Sequence, residues 1–212
     1  MSPALRELCE RSAALAAGGW ARGGSGNVSL RLDEDRIAIS PTGISLGELR
    51  PDALSICDPS GRHFEGPAPS KELPLHLAIY GRRPGAGAVV HLHTPYATAW
   101  SMVEGVDPVE ALPPLTPYAV MRLGPVALVP FAVPGDPILG KWIAARADRH
   151  SAFLLANHGP VVSAGTVRDA FFAAEEMEET ARLALLLRDV PHRRLRPEEV
   201  AAVEARYGSS LR

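Results

Sequence analysis

Three histidines stand where a metal ion could be held. His91 and His93 are two apart at the end of the apolar run Ala88-Val89-Val90-His91-Leu92-His93, and His158 follows directly on Phe153-Leu154-Leu155-Ala156. Side chains two apart on a strand share one face, and each run ends where a strand gives way to a loop. Two such strand ends side by side bring the three imidazoles together. Neutral imidazoles suit zinc and its first-row neighbours, and three of them leave a coordination position open for water or substrate. Spacing alone leaves a plainer reading beside this one, because a histidine at a strand end is more often a core or surface residue than a ligand.

The other candidate groups sit in small-residue loops. Ser25-Gly26-Asn27, Thr42-Gly43 and Ser70-Lys71 offer backbone N–H groups and hydroxyls. Ser70 reads as the N-cap of a helix from about Lys71 to Tyr80, with Pro74 in its first turn. A helix N-terminus with hydroxyls and a lysine is a ready anion site, although each loop taken singly reads as ordinary turn chemistry. Glu72 at the helix start suits the dipole whether or not it does chemistry. His76 lies one turn further on, where it can hydrogen-bond Glu72 or support the site from behind rather than serve as a fourth ligand.

These groups need elements to position them, and the patterning supplies an interleaved set. Residues 3–17 read as an amphipathic helix, with Leu5, Leu8, Cys9, Ser12, Leu15 and Ala16 on one face, ended by Gly18-Gly19. Strands are expected at 28–32, 36–40, near 54–58, at 88–93, 126–131, 151–156 and 161–163. Helices are expected at 71–80, from 95 to about Met102, from Pro137 with Asp136 as its cap, at 167–187, and at 197–206. Strands alternating with helices define a layered α/β or α+β class.

The chain has 212 residues, 46% hydrophobic and 22% charged, enough for one domain (1–212) with residues 190–212 as a helical extension. A net charge of −2 excludes nucleic acid as the main partner. No stretch approaches the roughly 18 apolar residues of a membrane helix, and Arg6, Glu7, Glu10 and Arg11 interrupt any leader-like run. Two isolated cysteines, Cys9 and Cys57, read as a reducing compartment, so the expected location is cytoplasmic.

Taken in order, five segments resemble the class II aldolase/adducin family: GGSGNVSLRL (23–32), SPTGISLGEL (40–49), PSKELPLHLAIY (69–80), AVVHLHTPYATAWS (88–101) and LLANHGPVV (154–162). The resemblance implies a three-layer αβα sandwich on a central, largely antiparallel sheet. It implies zinc, or manganese or cobalt in its place, on His91, His93 and His158. Glu72 is then the acid/base residue and a ligand when substrate is absent. Gly26, Asn27, Thr42, Gly43, Ser70 and Lys71 match the phosphate-binding loops. Tyr118 falls where aldolases of the family carry a tyrosine contributed across a subunit interface. A homotetramer with active sites between subunits follows from the same resemblance.

Lys71 and the stretches 112–124 and 129–136 look closest to the family's 3-oxo-tetronate 4-phosphate decarboxylases. The expected substrate is then a small phosphorylated sugar acid, and the expected products are dihydroxyacetone phosphate and carbon dioxide, formed through a metal-stabilised enediolate. That chemistry asks for a Glu72 whose pKa is raised towards neutrality. A sugar-phosphate aldolase or epimerase of the fuculose or rhamnulose type would use the same metal. A non-catalytic adducin-like protein would lack the full ligand set.

Overall fold

Period-two alternation along the strands divides their side chains between two cores, and this sets the architecture. The computed structural model describes residues 2–208. Its strands are β1 (Asn27–Arg31), β2 (Ile37–Ile39), β3 (Ser55–Cys57), β4 (His63–Glu65), β5 (Ala88–His91), β6 (Val126–Val129), β7 (Ala152–Leu155) and β8 (Gly159–Ala164). They form one sheet in the order β4-β3-β2-β1-β5-β8-β7-β6. Only β6 and β7 pair in parallel; the other neighbours are antiparallel. The helices are α1 (Pro3–Ala17), α2 (Leu73–Arg82), α3 (Pro95–Trp100), α4 (Pro117–Arg122), α5 (Pro137–Ala144), α6 (Val167–Leu187) and α7 (Pro197–Tyr207).

Val28, Leu30, Ala88, Val90, Leu154 and Val162 face one core with residues of α1, α3, α4 and α6. Val89, Phe153, Leu155 and Val161 face the other, where Leu75 and Ile79 of α2 and Leu139 and Ile143 of α5 meet them. Each Val, Leu, Ile or Phe side chain among them contributes about 1.5–3 kcal/mol when fully buried. The result is the expected three-layer αβα sandwich. The same alternation assigns the polar residues Asn27 and Ser29, and His91 at the end of β5, to the α2 face.

Several boundaries differ from the sequence reading. The strand that begins at Ala88 stops at His91, because the chain bends away towards Thr94-Pro95 and Leu92 spends its N–H on the Pro160 carbonyl at 3.1 Å. Helix α2 starts at Leu73, with Glu72 in the cap position, so Ser70 is not the N-cap. One strand and one α-helix lie outside the expected set. β4 is exposed at every residue, so it carries no alternation. α4 is a short helix in the proline-rich stretch, started by Thr116, whose hydroxyl accepts from the Ala119 N–H at 3.0 Å. α7 lies against α4 of its own chain, and residues 209–212 of the expected extension lie outside the described residues. No helix among the described residues is long and apolar enough to cross a membrane.

Candidate metal centre

The three histidines reach one point from different pieces of backbone. His91 closes β5, opposite Asn27 of β1 and Val161 of β8. His93 sits two residues further on, outside the strand. His158 lies in the turn between β7 and β8. The two histidine-bearing strand ends are therefore not neighbours, because β8 runs between them. Close backbone approach makes up the difference. A Cβ on Gly159 would stand 2.3 Å from the Leu92 carbonyl oxygen, so only glycine lets the turn lie against the Leu92-His93 segment. Asn157 takes φ 57°, a conformation asparagine tolerates, and its N–H donates to Ser101 Oγ at 3.1 Å. Thr98 Oγ1 donates to the His158 carbonyl at 3.2 Å. Helix α3 thus holds the turn as well as the segment that carries His93.

The Nε2 atoms form a near-equilateral triangle with sides of 3.1 Å (His91–His93), 3.0 Å (His93–His158) and 3.3 Å (His91–His158). Ligands 2.0–2.1 Å from a tetrahedral zinc lie about 3.3 Å apart, so the triangle suits an ion of that kind. The tautomer of His91 is fixed from behind. Its Nδ1 donates to the Pro160 carbonyl oxygen at 2.8 Å, which leaves a lone pair on Nε2. Glu72 completes the set, with Oε2 3.2 Å from His91 Nε2 and Oε1 3.4 Å from His158 Nε2. All four ligand atoms lie within 4.8 Å of one another. Glu72 Oε1 is buried without a hydrogen-bond partner. Converging lone pairs beside an unpartnered carboxylate oxygen are what a cation would satisfy.

The electrostatics agree with that donor set. Burial, joined by the charges of His91 and His158, holds His93 down at about 4 against the opposing pull of Glu72. Burial and His91 hold His158 at about 4 in the same way. His76, wholly buried and also facing His91, lies at about 3. All three rings are neutral near pH 7. Burial pushes the Glu72 carboxyl up, but in the acid range where it titrates and the imidazoles are protonated, the charge on His91, hydrogen bonds from His91 and Asn27, and the charge on His158 outweigh it. The group is held below the usual carboxylate range. The expected rise towards neutrality is therefore absent, and Glu72 at rest is an anion.

The small-residue loops gather beside this cluster. Pro41 bridges Pro69, the Thr42 N–H donates to the Ala68 carbonyl at 3.0 Å, and the Ser70 N–H to the Ser40 carbonyl at 3.2 Å. Thr42-Gly43 and Ser70-Lys71 thus lie side by side, and a Cβ on Gly24 would be 3.7 Å from the Gly43 backbone. Gly26, at φ 79°, comes so close to β5 that a Cβ would be 2.8 Å from the His91 carbonyl oxygen. Ser70 Oγ accepts from the Glu72 N–H at 3.3 Å. Thr42, Gly43 and Lys71 are exposed. The Asn27 side chain is directed at Glu72 and His76, which leaves one amide hydrogen for a ligand. Tyr118 is on α4, 59% exposed, and is not among the clustered residues.

Three supporting residues escaped the sequence reading. Ser29 and Tyr80 hydrogen-bond each other beneath His76. Their signal is a serine between Val28 and Leu30, on the strand face it shares with Asn27, and a tyrosine four residues after His76 on the helix. Glu178 of α6 is buried and accepts from the Tyr96 and Ala97 N–H groups at 2.9 and 2.7 Å, capping α3. No local pattern announces that contact.

The fold and the His/Glu cluster define a chain of the class II aldolase and adducin N-terminal domain family, whose model matches residues 6–185; this protein belongs to that family. Among its relatives is the 3-oxo-tetronate 4-phosphate decarboxylase of Pectobacterium atrosepticum, 46% identical over 198 residues that span 93% of this chain and 91% of that one. The L-fuculose phosphate aldolase of Escherichia coli O6:H1 is 33% identical and covers 89% of this chain and 86% of its own. The crystal structure of YgbL from Klebsiella pneumoniae superposes with a TM-score of 0.91 at 42% identity, over 94% of this chain and 97% of that one.

Proposed function

We propose that this protein is a metal-dependent carboxy-lyase that converts 3-oxo-tetronate 4-phosphate to dihydroxyacetone phosphate and carbon dioxide. The observation that carries this reading is the convergence of three imidazole lone pairs on a buried anionic Glu72, in a chain 46% identical over nearly its whole length to a decarboxylase of that name. In the reading, His91, His93 and His158 hold zinc, with manganese or cobalt as substitutes, and Glu72 joins them when substrate is absent. A cation held there supplies a Lewis acid for the charge that develops on the substrate oxygens.

The chain's own groups supply the rest. Gly26, Asn27, Thr42, Gly43 and Ser70 bind the phosphate through backbone N–H groups, hydroxyls and the free amide hydrogen of Asn27. Lys71 neutralises the carboxylate or the phosphate. When the bond to the carboxylate carbon breaks, its electron pair stays on the former α-carbon, and one proton must be taken up to give product. Glu72, an anion at rest, first takes a proton from water and then delivers it to that carbon, which returns it to the anion. Tyr118 acts across a subunit interface of a homotetramer, and its exposure suits such a role. Residues 1–212 form one domain with 190–212 as its extension, located in the cytoplasm.

An aldolase would use the same metal ligands and Glu72, and the 33% identical fuculose phosphate aldolase keeps that reading in second place. A non-catalytic, adducin-like role would leave the complete ligand set without a purpose. The test is to supply 3-oxo-tetronate 4-phosphate to the metal-loaded protein and measure carbon dioxide and dihydroxyacetone phosphate together. Equal release of both is expected. No release, with cleavage of fuculose or rhamnulose 1-phosphate instead, would overturn the reading in favour of the aldolase. In parallel, His93→Ala should lose bound metal while keeping its circular dichroism spectrum; a variant that retains metal removes His93 from the ligand set.

A further inference from the structure

Behind Glu72 an unbroken line of hydrogen bonds runs across the α2 face of the sheet. Asn27 Nδ2 donates to Glu72 Oε2 at 2.8 Å. The other end of the same carboxamide, Oδ1, is 2.6 Å from His76 Nε2. His76 Nδ1 is 2.7 Å from Ser29 Oγ, and Ser29 Oγ is 2.8 Å from the Tyr80 hydroxyl. Asn27, Ser29, His76 and Tyr80 are all nine-tenths or more buried. At the far end the Arg31 guanidinium lies 4.8 Å over the Tyr80 ring, anchored by the carbonyls of Tyr80 and Ala86 at 2.7 and 3.0 Å.

Only one set of directions satisfies this line when Glu72 is an anion. The carboxylate accepts, so the amino end of Asn27 must face it and the carbonyl end must face His76. A carbonyl oxygen cannot donate, so His76 Nε2 carries the proton. The ring is neutral, so Nδ1 is bare and Ser29 donates to it, and the Ser29 oxygen in turn accepts from Tyr80. A flipped carboxamide would set its oxygen against the carboxylate and its amino group against an N–H donor.

We propose that His76 is a positioning residue: by holding the Asn27 carboxamide in one orientation it commits Glu72 Oε2 to accepting, and leaves the unpartnered Oε1 as the oxygen that carries the catalytic proton. This rests on the reading of Glu72 as the acid/base group. It gives a buried histidine that never meets substrate a defined effect on turnover. Substrate binding should respond less than turnover, because of the loop groups only the Asn27 amide is held by His76.

The test uses the full chain in two ways. Nitrogen-15 shifts of histidine-labelled protein, read without substrate, should show His76 protonated on Nε2; protonation on Nδ1 would overturn the proposal. Two variants then separate positioning from packing. His76→Asn leaves no donor where Nε2 stood, whereas His76→Gln places an amide there. His76→Asn should lower kcat by about 10- to 100-fold with a much smaller change in KM and with metal content retained, and His76→Gln should restore most of the kcat. Undiminished kcat in His76→Asn, or equal loss in both variants, would overturn the proposal. If the unaltered protein releases no carbon dioxide, the functional reading fails, while the tautomer still decides the orientation of Asn27.

Discussion

Among the described residues two carboxylate side chains are buried, and they differ in what surrounds their oxygens. Glu178, 6% exposed, spends both oxygens on backbone N–H groups at the start of α3. Glu72, 8% exposed, has one oxygen held by Asn27 and the other without a partner. A buried polar atom without a partner is costly, so it persists where something other than the resting fold uses it. Glu178 is satisfied by the protein alone. Glu72 is satisfied only when a cation, a proton or a substrate arrives. The contrast separates a carboxylate that builds the site from one that works in it.

The sharpest way to break the contrast is to neutralise each carboxylate in turn. Glu72→Gln should lower kcat by about 10²–10⁴-fold, the usual scale for a lost general acid/base. It should retain metal on the three histidines and leave the urea midpoint close to that of the parent. Unchanged turnover would remove Glu72 from the chemistry. Glu178→Gln should do the reverse. One N–H at the start of α3 would then face an amide NH2 instead of an oxygen, which costs about 2–3 kcal/mol, read as a lower urea midpoint with a modest effect on kcat. A midpoint at the parent value would show that α3 does not need its cap.

Acidification should sharpen the same contrast, because a neutral histidine stands behind Glu72 and none of the groups bonded to Glu178 is a histidine. His76 is held at about 3, below the ordinary histidine value of 6.5, by burial and by the charge on His91. As pH falls through 6.5 the unfolded chain takes up a proton that the native chain refuses until near 3. Stability is therefore present above 6.5 and lost towards 3. Between pH 7 and 5 the metal-free protein should lose about 2 kcal/mol from His76 alone. His93 and His158, at about 4, act in the same direction. A urea midpoint that holds or rises on acidification would contradict this.

Much of this is legible in the sequence, and the reason differs by feature. Helices Pro3–Ala17 and Val167–Leu187 came out at their sequence boundaries because a long apolar face at helical spacing leaves little choice. His91, His93, His158 and Glu72 could be nominated as a set, but spacing did not show that β8 separates the strands or that Gly159 closes the gap. Ser70 looks like a cap in sequence, but Pro74, four residues later, sits at the second position of α2 and sets the helix start at Leu73. The direction of the Glu72 shift is not legible in sequence. Burial alone would raise it, and only the assembled neighbours reverse the sign. Pairings such as Glu178 with α3, 81 residues apart at Ala97, exist only in three dimensions.

The smallest effect tests why α3 needs a distant carboxylate at all. Its own cap residue, Thr94, makes no capping bond, and its hydroxyl is buried without a partner. Glu178 has taken over the two N–H groups that a threonine cap would serve, so the Thr94 hydroxyl is desolvated for no return. Thr94→Val keeps the shape and removes that oxygen. It should therefore be neutral or stabilise by up to about 1 kcal/mol, read from the urea midpoint of the metal-free protein. In the Glu178→Gln background the sign should reverse, because the threonine hydroxyl is then the nearest group in sequence able to accept from α3. Equal effects in both backgrounds would mean that Glu178 and Thr94 do not share the cap. The orphaned hydroxyl beside His93 would then join Glu72 Oε1 as an atom kept for the ligand.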